Sequence, residues 1–505
     1  MDWGLLFSSY AHVMLDPQVL VMLIVGAAGG VLLGAIPGLT ATMGVALLIP
    51  FSFGMDLIPS VGLLLGIYCG GMYGGSISAI LIHTPGTPAA AATLLDGYPM
   101  AQKGEAGRAL SIAMFASFIG GVIGALLMTF LSPIIASAAL AFGPAEMFML
   151  AIFGLSVIIA ISGKSIVKGL MVAFFGLLIC TIGMDKTCGY IRFIPKGVYG
   201  LYEGLPFIPT LIGLFAIAEV FGSIERMRRG EEVQTKTNQK ITRLLPSWSD
   251  IKIIWKNILT GGIIGTFIGA IPGAGGDISA FVSYGVAKGT SRHPEKFGKG
   301  APEGIAATES ANNGCSGGAM IPLLSLGVPG DSVTAILLGA FIMKGITPGP
   351  MMYVDNLGTV YSVFAALMLA NLAMLLVGMC GVRFFSKIIS VNKQILLPII
   401  LIVSLVGAYS INQNVFDIGV AIAFGLIGYL LQKYDFPLSP ILLALILGPL
   451  SESNFRRFMQ IEDGNFASIF SRPICVVFMV LSLGSLIFSV INQRKINKRS
   501  ADVEN

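Results

Sequence analysis

The chain has 505 residues, 55% of them hydrophobic and only 11% charged, with a formal net charge of +5 and a mean hydropathy of +0.85. Soluble domains carry roughly 25% charged residues, so this composition excludes a string of soluble domains. At roughly 20 residues per crossing, the nearly uncharged stretches 18–53, 57–95, 109–145, 357–382, 394–411 and 473–491 predict an all-α polytopic membrane protein with about 11 to 13 transmembrane or re-entrant helices.

The first hundred residues carry Asp2, Asp16, Asp56 and Asp96, with no Lys or Arg before Lys103. A cleaved signal peptide needs a basic n-region, so none is expected. Loops kept in the cytoplasm carry Lys and Arg, which places the N-terminus outside. The first apolar run holds a ladder of Gly26, Gly30, Gly34 and Gly38, closing in Gly34-Ala35-Ile36-Pro37-Gly38. A glycine every fourth residue gives a helix one bare edge for close approach of another backbone in lipid. The Pro-Gly removes an amide donor and supplies a residue free to take positive φ, so the helix should break there. A second motif runs from Gly74-Gly75-Ser76-Ile77-Ser78 to His83-Thr84-Pro85-Gly86-Thr87-Pro88. Pro-Gly inside such an apolar run reads as the tip of a re-entrant hairpin, tolerated only where protein or a watery cavity surrounds it.

The stretch 183–200 is polar and reads as a loop. Segment 223–257 carries eight basic residues (Arg226, Arg228, Arg229, Lys236, Lys240, Arg243, Lys252, Lys256) against four acids. It is expected to be a cytoplasmic linker dividing a first repeat, 1–222, from a second, 258–470. The ladder then returns 235 residues later as Gly261, Gly265, Gly269 and Gly273, again closing in Ala-Ile-Pro-Gly. The second motif returns as Ser316-Gly317-Gly318 through Gly327-Val328-Pro329-Gly330-Asp331-Ser332, its Pro-Gly shifted by 244. Matched loops differ in charge. Segment 51–60 has Asp56 and no base, whereas its counterpart 287–300 carries Lys288, Arg292, Lys296 and Lys299; after the hairpins, Lys103 and Arg108 stand against Lys344 and Asp355. Opposed charge bias places matched loops on opposite sides of the membrane, giving two inverted repeats. Residues 471–493 form an extra transmembrane helix, leaving the basic tail 494–505 cytoplasmic.

Broken helices at matching places in two halves point to the binding site of a secondary transporter. Free amides at the broken N-termini suit carboxylates, and free carbonyls suit Na⁺. The expected substrate-binding residues are Gly38, Thr40, Thr42, Ser76, Ser78, Thr84, Pro85, Gly86, Thr87, Gly273, Gly275, Asn312, Asn313, Pro329, Gly330 and Ser332. Glu309, Asn312, Asn313 and Ser316 share one helical face by their spacing. A carboxylate at membrane depth costs about 2.5 kcal/mol or more, so it normally faces a cavity or a partner. Asp277, Glu309 and Asp331 are therefore the expected cation-coupling residues. Competing readings are that the ladders serve packing alone, that each hydroxyl satisfies its own helix, and that Asp277 or Glu309 caps a helix at the interface. The six cysteines form no CxxC pair and the three histidines are far apart, so no metal site is expected. No nucleophile–base set appears, which argues against an enzyme, and the basic runs read as topological determinants rather than nucleic-acid sites.

These residues resemble the large membrane subunit of the tripartite tricarboxylate transporter family. The resemblance lies in Pro37-Gly38-Leu39-Thr40-Ala41-Thr42-Met43-Gly44, Tyr73-Gly74-Gly75-Ser76-Ile77-Ser78, Thr84-Pro85-Gly86-Thr87-Pro88 and Asp96-Gly97-Tyr98-Pro99. It continues in Ala311-Asn312-Asn313, Gly327-Val328-Pro329-Gly330 and Gly345-Ile346-Thr347-Pro348-Gly349-Pro350. Around 183–200, Asp185, Gly189, Arg192 and Phe193 follow the family, but Pro195-Lys196-Gly197 replaces its aromatic-Gly step. The resemblance implies a bacterial inner-membrane importer of small di- and tricarboxylates with two partners: a small membrane subunit of about four helices and a soluble periplasmic binding protein. It implies no cofactor and a cation gradient as the drive, Na⁺ or H⁺, in keeping with the absence of a GxxxxGK[ST] phosphate loop. The alternative is a stand-alone carboxylate or ion porter, or a channel, without a binding protein.

Overall fold

The computed structural model describes residues 2–161, 165–185, 188–230, 245–388 and 393–504. The first half runs through α1 (Trp3–Leu15), α2 (Pro17–Ala35), α3 (Ala41–Ser52), α4 (Leu57–Ile82), α5 (Ala90–Gln102), α6 (Ala106–Ala139), α7 (Pro144–Ile161) and α8 (Ile166–Ile179). A two-stranded hairpin of β1 (Gly183–Met184) and β2 (Ile191–Arg192) follows, pairing Gly183 with Arg192. Then α9 (Phe207–Leu211) and α10 (Ala218–Arg228) join through a π-helical turn at Ile212–Ile217. The second half holds α11 (Trp248–Gly269), α12 (Gly275–Thr290), α13 (Pro302–Leu326), α14 (Ser332–Met343), α15 (Met352–Asp355) and α16 (Leu357–Ile388). The last four are α17 (Lys393–Asn412), α18 (Val415–Lys433), α19 (Ser439–Ile461) and α20 (Pro473–Glu504). Among the described residues, nine helices are long and apolar enough to cross a membrane, and four shorter apolar helices accompany them. The fold is that of an all-α polytopic membrane protein.

Two helices sit at the centre. Every residue of α4 from Pro59 to Leu81, and of α13 from Gly304 to Ser325, is buried. The glycine ladders explain how they are covered. A Cβ on Gly26, Gly30 or Gly34 of α2 would fall on the carbonyls of Leu63, Ile67 and Gly71 in α4. In the second half, Gly261, Gly265 and Gly269 of α11 meet the carbonyls of Ala307, Ala311 and Cys315 in α13 in the same way. Both sets of contacts advance together, so each ladder helix runs parallel to its central helix with the backbones touching. The helix that follows each Pro-Gly turns back: Gly44 of α3 lies against Ile67, one turn before the Gly71 that receives Ala41.

α4 and α13 cross antiparallel, with the Asn312 amide donating to the Met72 carbonyl at 3.2 Å and the Cys69 thiol beside the Ser316 hydroxyl. Each half also covers the other's central helix. α6 packs on α13, where Gly120 and Gly124 press on Ser310 and Gly314, while α16 packs on α4. Outside this centre, α8, α9, α18 and α19 share one apolar cluster, and α7, α19 and α20 another.

The Pro-Gly segments differ from the expected hairpin tips. Gly86 and Thr87 lie against Gly75, whereas Gly97 lies against Ile80, and the Tyr98 ring is 4.4 Å from the His83 ring. The chain leaves α4, climbs back along its last turns, and then resumes as α5 running the same way as α4. The physical reason is the missing side chain at Gly75 of α4, which lets the returning loop lie on the helix at Thr87. The expected linker is also helical at both ends: Arg226 and Arg228 belong to α10, Lys252 and Lys256 to α11. Its centre, with Lys236, Lys240 and Arg243, lies outside the described residues, as does Lys186. The tail from 494 continues α20 as helix to Glu504.

Candidate functional site

The two breaks have one construction. Gly38 and Gly273 take φ of +95° and +84°, values open to glycine at little cost. At the first break, the Gly86 amide donates to the Gly75 carbonyl at 3.2 Å, and a Cβ on Gly86 would strike the Gly34 carbonyl. At the second, the Gly273 amide donates to the Gly330 carbonyl at 2.6 Å, and a Cβ on Gly330 would meet the Gly269 carbonyl. Each climbing loop is thus seated on the end of its own ladder. The Pro-Gly glycines are packing residues first, whatever ligand they face.

Hydroxyls near the breaks divide into satisfied and unsatisfied. Ser76 and Ser78 donate to the Tyr73 and Gly75 carbonyls in their own helix, and Thr84 to that of Ile82. Thr40 caps α3, its hydroxyl accepting the Met43 amide at 3.2 Å. Ser332 pairs with Ser439 of α19 at 3.0 Å. Thr42 is half-buried in the first turn of α3, and Pro85 is half-buried where Pro329 is buried. By contrast, the Thr87 hydroxyl, the Asn312 carbonyl oxygen and both polar atoms of Asn313 are buried without a partner. So are the Tyr73 hydroxyl and the Asn371 carbonyl oxygen. A buried polar group left unpaired costs about 1–3 kcal/mol, and these are concentrated around α4 and α13.

The three acids occupy two places. Asp277 is exposed in the first turn of α12, next to Gly275, whose φ is +64°. It follows Gly273, whose amide donates to the Gly330 carbonyl just before Asp331, so both acids stand at the second break. Asp331 caps α14 in a reciprocal box with Thr334, and its other oxygen accepts from the Tyr68 hydroxyl of the first half. Glu309 stands apart and is fully buried. It accepts from Thr93 of α5 and, at 2.8 Å, from Ser117 of α6; Thr308 is 3.0 Å from the same Thr93 hydroxyl. The expected face of Glu309, Asn312, Asn313 and Ser316 is present and turned toward α4, α5 and α6. Sequence reading missed Tyr68, Thr93 and Ser117, whose partners lie up to 263 residues away, and Tyr73 and Asn371, which keep a buried polar atom unpaired. The signal for Tyr73 was available, since it opens the Tyr73-Gly74-Gly75 motif.

Asp96, at the head of the Asp96-Gly97-Tyr98-Pro99 motif, is fully buried and works elsewhere. One of its oxygens accepts the amides of Gly298, Gly300 and Ala301, each at 2.8 Å, and the other accepts the Tyr284 hydroxyl at 3.0 Å. It clamps the loop before α13 to the middle of α5.

Paired breaks on ladder ends, around a polar centre between two buried helices, fit a membrane carrier. The model of the tripartite tricarboxylate transporter TctA family matches residues 20–443. The chain belongs to the tripartite tricarboxylate transporter TctA family. It is similar, at 37% identity over 477 residues and 94% of each chain, to an uncharacterized 52.8 kDa protein in the TAR-I ttuC' 3' region of Agrobacterium vitis. An uncharacterized protein in the TAR-II ttuC' 3' region of the same organism is 36% identical over 227 residues, 45% of this chain and 94% of that one. No solved structure matches the chain significantly. As a TctA-family protein it is a multi-pass transport protein, the large subunit of a tripartite tricarboxylate transporter.

Proposed function

We propose that this TctA-family subunit imports small di- and tricarboxylates across the bacterial inner membrane by alternating access, driven by Na⁺ or H⁺. A periplasmic binding protein delivers the substrate, and a small membrane subunit of about four helices completes the complex. The observation that carries the reading is the set of unpartnered buried atoms on Thr87, Asn312 and Asn313 between the two Pro-Gly loops. They supply donors and acceptors for a polar substrate at the crossing of α4 and α13. Glu309, fully buried and held by two hydroxyls, is the first choice for cation coupling. Asp277 beside Asp331 at the second break is the other.

The halves act as an inverted pair. Support comes from the antiparallel crossing of the two matched central helices and from the opposed charge of matched loops, which leaves the N-terminus outside and the C-terminus cytoplasmic. Uptake into proteoliposomes holding all three components, under imposed Na⁺ or proton gradients, tests the function. Uptake that needs the gradient and the binding protein supports it. Gradient-driven uptake without the binding protein would favour a stand-alone porter, and flux without coupling a channel.

A further inference from the structure

A cavity of about 460 Å³ opens where the β1–β2 hairpin and the start of α9 meet α14, α17 and α19. We propose that it is the outer acceptor site, where a di- or tricarboxylate first binds to the membrane subunit on Arg192 and Arg456; this rests on the carrier reading above. Its side of the membrane follows from the helix that runs from Phe207, in the cavity wall, to Arg228 at the basic linker. If the linker is cytoplasmic, the cavity faces outward.

Five charged residues line the cavity, Arg192 and Arg456 with Asp185, Glu203 and Glu452, and Arg192 also stands 3.7 Å from Asp185. Arg192 holds Glu452 through two nitrogens, at 2.6 and 3.3 Å. Arg456 bridges Glu452 at 2.9 Å and Asp185 at 2.8 Å. The two acids differ in kind. The Asp185 side chain is 5% exposed and fixed, whereas that of Glu452 is 32% exposed. Glu452 therefore occupies, on a short tether, the position a free carboxylate would take on Arg192. Guanidinium groups bind carboxylates through paired N–H donors, so a second carboxylate can replace Glu452 without any change in how the arginine is satisfied. Arg192 also keeps its Nε buried with no acceptor, a donor left over for a ligand with more oxygens than one glutamate.

The walls say where such a ligand would go next. Leu338 and Ile342 of α14 and Leu445 and Pro449 of α19 line the cavity. The same two helices meet again at Ser332 and Ser439, roughly 10 Å deeper at 1.5 Å per residue. Ser332 immediately follows the Pro329-Gly330 loop and Asp331. The cavity is the outer mouth of the α14–α19 seam, and the seam ends at the second break. Asp185 and Arg192, kept in the polar stretch 183–200, thus gain a role: the hairpin presents one arginine and anchors the other.

Citrate binding to the full chain in lipid nanodiscs, with uptake in proteoliposomes alongside, tests the site. Arg192→Gln and Arg456→Gln should each weaken citrate binding tenfold or more, with Arg192→Lys between them and the parent. Glu452→Gln should tighten it at least threefold, because the competitor is gone; a merely structural ion network predicts no gain. In uptake, Arg192→Gln should raise the half-saturating concentration and keep the maximal rate. Equal citrate affinity in the parent and Arg192→Gln, or no citrate binding by the parent, would overturn the site. Parental uptake with an unchanged half-saturation in Arg192→Gln would overturn it and leave the carrier reading standing. Absence of any gradient-driven uptake by the parent would remove the carrier reading instead.

Discussion

Lys103 and Lys344 stand 241 residues apart and occupy the same place in the two halves. Each caps the C-terminus of the helix that follows a Pro-Gly loop, and each donates its ammonium to a carbonyl of the opposite half. Lys103 reaches Lys299 at 2.6 Å, and Lys344 reaches Phe53 at 2.8 Å, as well as Met55. The receiving loops are themselves matched, since each precedes a central helix. The two halves thus repeat one cross-half contact, which supports the inverted pair proposed above.

If the pair is inverted, the two receiving loops lie on opposite sides of the membrane. Gly54→Cys and His293→Cys, in a background lacking the exposed Cys188 and Cys380, should label from opposite sides in intact cells. Gly54 has open space around it and His293 is exposed, whereas Ser60, in the same first-half segment, is buried and unsuited to labelling. The Gly54 variant should react with an impermeant maleimide at once, the His293 variant only after permeabilisation. Matching accessibility would mean parallel repeats.

The loops seated on the ladders leave no room for a side chain. Gly86→Ala and Gly330→Ala should each lower stability by roughly 1–3 kcal/mol, the usual cost of overpacking a fitted interior. Thermal melting in detergent measures it. Gly285→Ala, at a position with open space, should melt with the parent. If the Gly86 and Gly330 variants also melt with the parent, the contacts described here are not close.

Glu309 separates charge from shape. Glu309→Gln keeps an oxygen to accept from Thr93 or Ser117, so melting should shift little while the cation dependence of uptake is lost. Glu309→Leu leaves the Ser117 hydroxyl without its acceptor, Thr93 still having Thr308, and should also destabilise, by about 1–3 kcal/mol. Retained cation dependence in Glu309→Gln would move coupling to Asp277 and Asp331.

Asp96 is a clamp, and its loss should be local. Asp96→Ala frees three amides on Gly298, Gly300 and Ala301, and hydrogen exchange at those positions should rise at least tenfold over the parent. Each tenfold step corresponds to about 1.4 kcal/mol of local opening. Unchanged exchange would mean that the loop is held by other contacts, such as the Lys103 ammonium.

Much of this was legible in the chain because glycine spacing is a local signal. Ladder periodicity named the helices that touch backbone to backbone, and the face of Glu309, Asn312 and Asn313 followed from helical geometry alone. The climb of Gly86 back to Gly75 was not legible, since the direction of a chain after a Pro-Gly depends on which neighbour has a bare edge. Nor were Thr93, Ser117 and Tyr68. A lone hydroxyl in an apolar run satisfies its own helix in most settings, and only the partner across the fold distinguishes these. Asp96 was visible as a charge, but its clients are backbone amides, which leave no mark in a sequence.

α13 is long enough to span a bilayer but too polar to count among the apolar spans, and this shapes how the protein is made. A segment carrying Glu309, Asn312 and Asn313 gains little by entering lipid alone. It becomes acceptable once α6 and α5 shield that face and supply the Ser117 and Thr93 hydroxyls, and both of those helices are synthesised some 200 residues earlier. The polar face of α13 is thus matched in advance by hydroxyls of the first half, and its burial requires α5 and α6 to be in place.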